Sequence, residues 1–424
     1  MKNLTSILFV GIDVCLKTNV VCAINYHGEK LLRYKSDNNQ PGSIQLIDNL
    51  ISTLDDNKLS NLTCVLEATS VYSTHIANIL SSHEKLLEYN PIVYIINPKQ
   101  SHNYAKSFGS INKTDPIDAY VLADFARCGR IQSKPWRGAQ HLSLQRLTRH
   151  RHHLIKQVSR EKAYVLNNIF LKFSQLAVLD RKEGHPFSNT FGASSKAILT
   201  EFFTPEDILN MSLKELTDYF IQKSKGRFKD PEDTAKLLQK AARDSYRLDK
   251  VAYEPLNIAI ASSLNLLKTY TKEIKEVDKA IEKNLKGLLT QEYQCLMSIP
   301  GIGPISTAGI LSEIGSMHNF KSADALAQYA GITWRTKQFG NFTNENSNLS
   351  QTGNSFLRYY ILEATNSARR KEYSLAKQYQ KKYDESRTHH HKRALSLTSR
   401  KFIRMIFAML RKNQLYSNKG IEKI

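Results

Sequence analysis

Four acidic residues in the first third of the chain, Asp13, Glu67, Asp115 and Asp118, have the types and spacing that hold hard divalent cations. Asp13 follows the apolar run Ile7-Leu8-Phe9-Val10-Gly11-Ile12, and Glu67 follows Cys64-Val65-Leu66, so each ends a predicted buried strand. Asp115 and Asp118 stand three apart at the predicted start of a helix, in Lys113-Thr114-Asp115-Pro116-Ile117-Asp118-Ala119, and project from one face. An aspartate before proline also suits a helix cap, and Asp118 would meet the positive end of the helix dipole. Neither role conflicts with metal binding. Magnesium takes oxygen ligands and keeps several waters, so carboxylates at a strand-end cleft suit it better than histidine or cysteine would. One or two Mg²⁺ there would relieve the repulsion that makes phosphodiesters slow to react.

These carboxylates need a scaffold. Residues 7–12, 20–24 and 31–34 read as three short strands joined by the polar turns Lys17-Thr18-Asn19 and Tyr26-His27-Gly28-Glu29. A helix over 43–54, the Glu67 strand, a helix near 71–82, a strand over 92–96 and a helix over 116–128 follow. An antiparallel meander followed by alternating helix and strand is the order of an RNase H-like α/β fold. Residues 1–135 are therefore expected to form that domain.

Beyond it the chain turns to long charged helices. Apolar residues at 267, 270, 274, 277, 281, 285 and 288 alternate by three and four, the pattern of a coiled coil between subunits or of one helix packed on its own domain. Residues 136–292 are read as a helical, coiled-coil linker and oligomerisation region, with no chemistry assignable to 181–262. Residues 293–416 are read as a mainly helical C-terminal domain. It opens on Pro300-Gly301-Ile302-Gly303-Pro304, where Gly301 and Gly303 permit a helix-hairpin-helix-like turn whose amides can meet a phosphate. An ordinary helix-helix turn fits the same residues. Two further helices are expected over 355–383 and 394–412. Lys113, Arg358, Arg400, Lys401 and Arg404 are candidate phosphate contacts, the alternative being solvated helix faces.

Composition favours a polyanionic partner. The 424 residues carry 60 Lys plus Arg against 39 Asp plus Glu, a formal charge of +21 and a pI near 9.6. The five cysteines form no Cys-x-x-Cys pair, which argues against a zinc site or a disulfide framework and fits a reducing cytoplasm. No apolar stretch reaches the roughly 18 residues of a membrane span, so no membrane partner is expected.

Five short motifs then fall in a telling order: Gly11-Ile12-Asp13-Val14, Leu66-Glu67-Ala68-Thr69, Ile96-Asn97-Pro98-Lys99-Gln100, the Asp115/Asp118 segment and Pro300-Gly301-Ile302-Gly303-Pro304. Together they resemble the IS110 family of insertion-sequence transposases across nearly the whole chain. That resemblance implies a RuvC-like DEDD catalytic domain, a separate C-terminal transposase domain, and site-specific recombination of DNA at element ends and target. It also implies a structured guide RNA and a homo-oligomer, dimer or tetramer. The family's serine nucleophile lies in a Gln-Ser-Gly segment, which here reads Gln338-Phe339-Gly340. Phe339 has no hydroxyl and cannot form a phosphoserine link. Ser350, or Ser347 beside it, is the alternative nucleophile, although turn and capping roles suit both. A structure-specific RuvC-like nuclease, and a relative that binds nucleic acid without recombining it, therefore stand beside the transposase reading.

Overall fold

The computed structural model describes residues 4–108, 114–129, 131, 135–179, 184–224, 230–286, 291–315, 317–334, 338–339, 342–343, 349 and 352–417. Two compact units divide the chain, residues 1–143 and 144–424.

The first unit is a five-stranded mixed sheet. Strands β1 (Ile7–Val14), β2 (Thr18–Ile24) and β3 (Lys30–Asp37) form an antiparallel meander. The chain continues through α1 (Gln40–Asp56), β4 (Asn61–Glu67), α2 (Ser73–Ser82), α3 (Glu84–Leu87), β5 (Ile92–Ile96), α4 (Pro98–Ala105) and α5 (Asp115–Arg127). The strand order is β3-β2-β1-β4-β5, with β1, β4 and β5 parallel. Because side chains alternate along a strand, each face of the sheet gathers its own core. Leu8, Val10, Ile12, Leu62, Cys64 and Leu66 bury against α1 and α2, whereas Ile7, Phe9, Cys22, Val65 and Ile96 bury against α5. This is the meander-then-α/β arrangement expected of the RNase H-like domain.

The second unit is mainly helical. The long helix α6 (Ala139–Lys172) leads into α7 (Ser174–Val178), α8 (Ala193–Glu201), α9 (Pro205–Leu209), α10 (Leu213–Ser224) and α11 (Pro231–Asp244), and α12 (Lys250–Lys286) returns. Helix α12 lies antiparallel to α6: Leu144 shares a cluster with Ile281 and Leu285, Arg151 pairs with Asp278, and Lys172 Nζ donates to Asn257. The short helices between them close a core around Phe173, Leu199, Phe220 and Leu238. The apolar seam expected over 267–288 is thus filled at both ends by the chain itself, Leu267 in that core and Ile281 and Leu285 against Leu144 and Ala308. Leu288 lies outside the described residues.

The rest comprises α13 (Gln291–Met297), α14 (Pro304–Ile314), α15 (Ala323–Ala330), the short strands β6 (Gln338–Phe339) and β7 (Phe342–Thr343), α16 (Ser355–Ala368), α17 (Tyr373–Asp384) and α18 (His390–Lys412). The single helix expected over 355–383 is two. The buried Glu372 carboxylate accepts from the backbone N–H groups of Ser374 and Leu375 and so starts α17 afresh. Gly301, at φ +89°, turns the chain between α13 and α14, and a Cβ there would stand 2.9 Å from the Ser367 carbonyl oxygen. The glycine is therefore required by packing on the end of α16, whatever else the turn does. Among the described residues no helix is long and apolar enough to cross a membrane.

Candidate active site

The parallel register of β1 and β4 pairs Gly11 with Val65 and Ile12 with Leu66. Asp13 and Glu67 come next on each strand, and neighbouring strands lie about 4.8 Å apart. Both residues share the sheet face of their i−2 neighbours, Gly11 and Val65, which is the face covered by α5. Glycine at position 11 lets α5 lie almost on the strand: an added Cβ would stand 2.0 Å from Ala119 O and 2.4 Å from Ala123 N. That close approach brings the first turn of α5, with Asp115 and Asp118, toward the strand ends. Asp115 and Pro116 line a cleft with Val20, the residue that pairs with Asp13 across β1 and β2. The charges of Asp13 and Asp115 both raise the pKa of the Cys15 thiol, after burial as the larger cause, which places both carboxylates within electrostatic reach of one sulfur.

Helix α5 begins at Asp115 itself, with Thr114 in the cap position, so Asp115 is not the cap. Its carboxylate is exposed. Asp13, Glu67 and Asp118 are half-buried. Ser101, on α4, donates its hydroxyl to Glu67 Oε2 at 2.8 Å and so orients that carboxylate. Lys35 pairs with Val20 and Arg33 with Cys22, which puts both cations on the carboxylates' face of the sheet. They line the same cleft as Asp115, and the Lys35 charge opposes the rise at Cys15. Sequence reasoning missed Ser101, Arg33 and Lys35. The serine follows the quoted Asn97-Pro98-Lys99-Gln100 motif directly, whereas an edge-strand lysine carries no local signal of its neighbours.

Among the described residues no three His, Cys, Asp or Glu side chains form a ready-made metal cage. Magnesium does not demand one: it is usually held by one or two carboxylates, with waters and substrate phosphates completing the shell. Hard oxygen donors on adjacent strand ends fit that ion, and Lys35 and Arg33 line the same cleft as Asp115.

In the second unit the expected nucleic-acid contacts differ in their surroundings. Gly303 stands at the N-terminus of α14 with nothing within 4 Å of where a Cβ would be, so a phosphate can approach its backbone. Arg358 is half-buried, and its Nη1 donates to the Ala330 carbonyl at 3.4 Å, which ties it to the turn after α15. Arg400 pairs with Asp324, and Lys401 Nζ donates to the Ser374 carbonyl at 3.1 Å. Arg404 is exposed and has no hydrogen-bond or ion-pair partner among the described residues. Phe339 closes a hairpin, paired with Phe342. Lys113, Ser347 and Ser350 lie outside the described residues. Asn354, just beyond the hairpin segment, is held by the buried Glu313: its Nδ2 donates to Glu313 Oε2 at 2.7 Å, and Arg149 grips the same carboxylate with two nitrogens at 2.7 and 2.9 Å.

Two family models match the chain. Residues 10–171 match a transposase model of the IS110 DEDD type, and residues 293–380 match the transposase IS116/IS110/IS902 family. Among similar proteins, an uncharacterised 44.8 kDa protein of insertion element IS116 from Streptomyces clavuligerus is 23% identical, covering 97% of this chain and 96% of its own. A pilin gene-inverting protein of Moraxella lacunata is 24% identical over 82% of this chain and 79% of its own. A mini-circle putative transposase for IS117 from Streptomyces coelicolor is 24% identical over 78% of each.

Proposed function

The chain belongs to the IS110 family of insertion-element transposases, and from that premise we propose that it is a magnesium-dependent DNA recombinase whose metal is held by Asp13, Glu67, Asp115 and Asp118. The observation that carries this reading is the shared face of Asp13 and Glu67 on adjacent parallel strands beside the start of α5. When bound, one or two divalent cations would offset phosphate charge and activate the attacking oxygen. The chain's own groups do the rest. Ser101 holds Glu67 in one orientation. Arg33 and Lys35 draw the DNA backbone to the cleft.

In this reading residues 1–135 are the catalytic domain, 136–292 the helical linker and 293–416 the C-terminal transposase domain. The partners are DNA at element ends and target, a structured RNA guide from the element, and further copies of the chain, in the cytoplasm. Gly303, Arg404 and the basic face of α18 supply phosphate contacts.

Phe339 favours a second reading, binding of element DNA without strand exchange. The purified protein, incubated with its element ends, flanking RNA and Mg²⁺, distinguishes them through a covalent protein-DNA adduct. An adduct lost on Ser350→Ala supports recombination through that serine. No adduct and uncut DNA supports the second reading, and hydrolysed ends without an adduct support a nuclease that uses the carboxylates alone.

A further inference from the structure

We propose that the groove between α17, α18 and residues 414–417 holds an unpaired nucleobase with its phosphate. The proposal deepens the nucleic-acid reading above and rests on it. The groove measures about 740 Å³, within the range of roughly 300–1,000 Å³ that small-molecule sites occupy. Its lining has two chemistries side by side. Leu397, Met405, Met409 and Leu415 give apolar surface, and Trp334 adds an indole ring. Arg400, Lys401 and Arg404 stand on the same lining.

The cations are differently committed. Lys401 donates to a backbone carbonyl, and Arg400 is shared between Asp324 and the Trp334 ring, whose centroid lies 5.8 Å from its guanidinium carbon. Arg404 is exposed and has no partner among the described residues, so it can meet an incoming anion without breaking an existing pair. An anionic group joined to a flat apolar one satisfies both halves of the lining, and a nucleotide is that combination. A duplex does not fit the requirement, because paired and stacked bases hide the faces that the indole and methionines would cover. Single strands expose them, and binding of this kind combines cationic contacts with aromatic stacking. Methionine side chains, flexible and polarizable, suit a pocket that accepts more than one base.

The full-length chain is titrated with labelled single strands of thymidine and of uridine and with a duplex of matched length. Trp334→Ala is expected to weaken single-strand binding about tenfold with a much smaller effect on the duplex, Arg404→Ala to weaken the single strand and, through its phosphate contact, the duplex as well, and Trp334→Phe to retain most of the affinity. Far-ultraviolet circular dichroism verifies folding, and the exposed Arg404 provides the variant least able to disturb it. A preference for the uridine strand assigns the groove to RNA, and one for the thymidine strand to DNA. Equal losses for single strand and duplex in Trp334→Ala, or no loss of single-strand binding in either variant, would overturn the proposal while leaving the recombinase reading intact. No binding of any oligonucleotide by the unaltered chain would overturn both and turn attention to a polypeptide occupant.

Discussion

Phe339 stands at the closing pair of the β6–β7 hairpin, and the resemblance of Gln338-Phe339-Gly340 to the family's Gln-Ser-Gly segment implies a hydroxyl at that position. A phenyl ring cannot attack phosphorus. On the second reading, Phe339→Ser gains a covalent protein-DNA adduct on a denaturing gel that the unaltered chain lacks; on the recombinase reading, the unaltered chain forms the adduct and loses it on Ser350→Ala, which places the nucleophile downstream. A second single residue links structure to pH. Lys172 is buried, its ammonium held by the Leu199 and Phe202 carbonyls and by Asn257, with no carboxylate among those three acceptors. Burial lowers its pKa to about 8, against 10.5 for an ordinary lysine. Below pH 8 both folded and unfolded chains are protonated there, so the cost of the buried charge is fully present. Between pH 8 and 10.5 the unfolded chain binds more protons, and stability rises. The gain should approach about 3 kcal/mol, at about 1.4 kcal/mol per pK unit. Urea denaturation at pH 7.5 and 10 should show this rise in the unaltered protein beyond any seen in Lys172→Met; equal pH dependence in the two would refute it.

The contact between β1 and α5 depends on one missing methyl. Gly11→Ala would drive a Cβ into the backbone of α5 at Ala119 and Ala123, so its cost should reach or exceed the roughly 3 kcal/mol upper end of ordinary overpacking. Urea denaturation would measure it, and a variant as stable as the parent would mean that α5 can slide off the strand. Elements of this kind were readable in advance where they are local. The apolar runs before Asp13 and Glu67, the meander turns and Asp-Pro-Ile-Asp all report on their own neighbourhood. Packing between distant segments was not legible. The three-four alternation over 267–288 says that a seam is buried but not against what, and here α6, from more than a hundred residues earlier, fills much of it. The break at 369–372 was missed because Glu372 is an ordinary helix residue until its carboxylate folds over to accept from the Ser374 and Leu375 amides. Lys35 and Ser101 were missed for the same reason, since only strand register and the docking of α4 bring them to the carboxylates.

Across the whole molecule, a charge of +21 favours a polyanionic partner. With about 6–10 phosphates contacted, affinity for element DNA should fall roughly 10³–10⁵-fold between 50 and 200 mM salt. Fluorescence anisotropy at several salt concentrations checks this, and a flat titration would place recognition outside the basic surface. The central claim concerns the four carboxylates, and Mn²⁺ is a paramagnetic substitute for Mg²⁺ at oxygen sites. Electron paramagnetic resonance titration of the full chain bound to element-end DNA should detect one or two Mn²⁺ per chain, displaced by excess Mg²⁺. In the Asp13→Asn, Glu67→Gln double variant that binding should be lost while DNA affinity is retained; Mn²⁺ binding unchanged in the double variant would contradict the account.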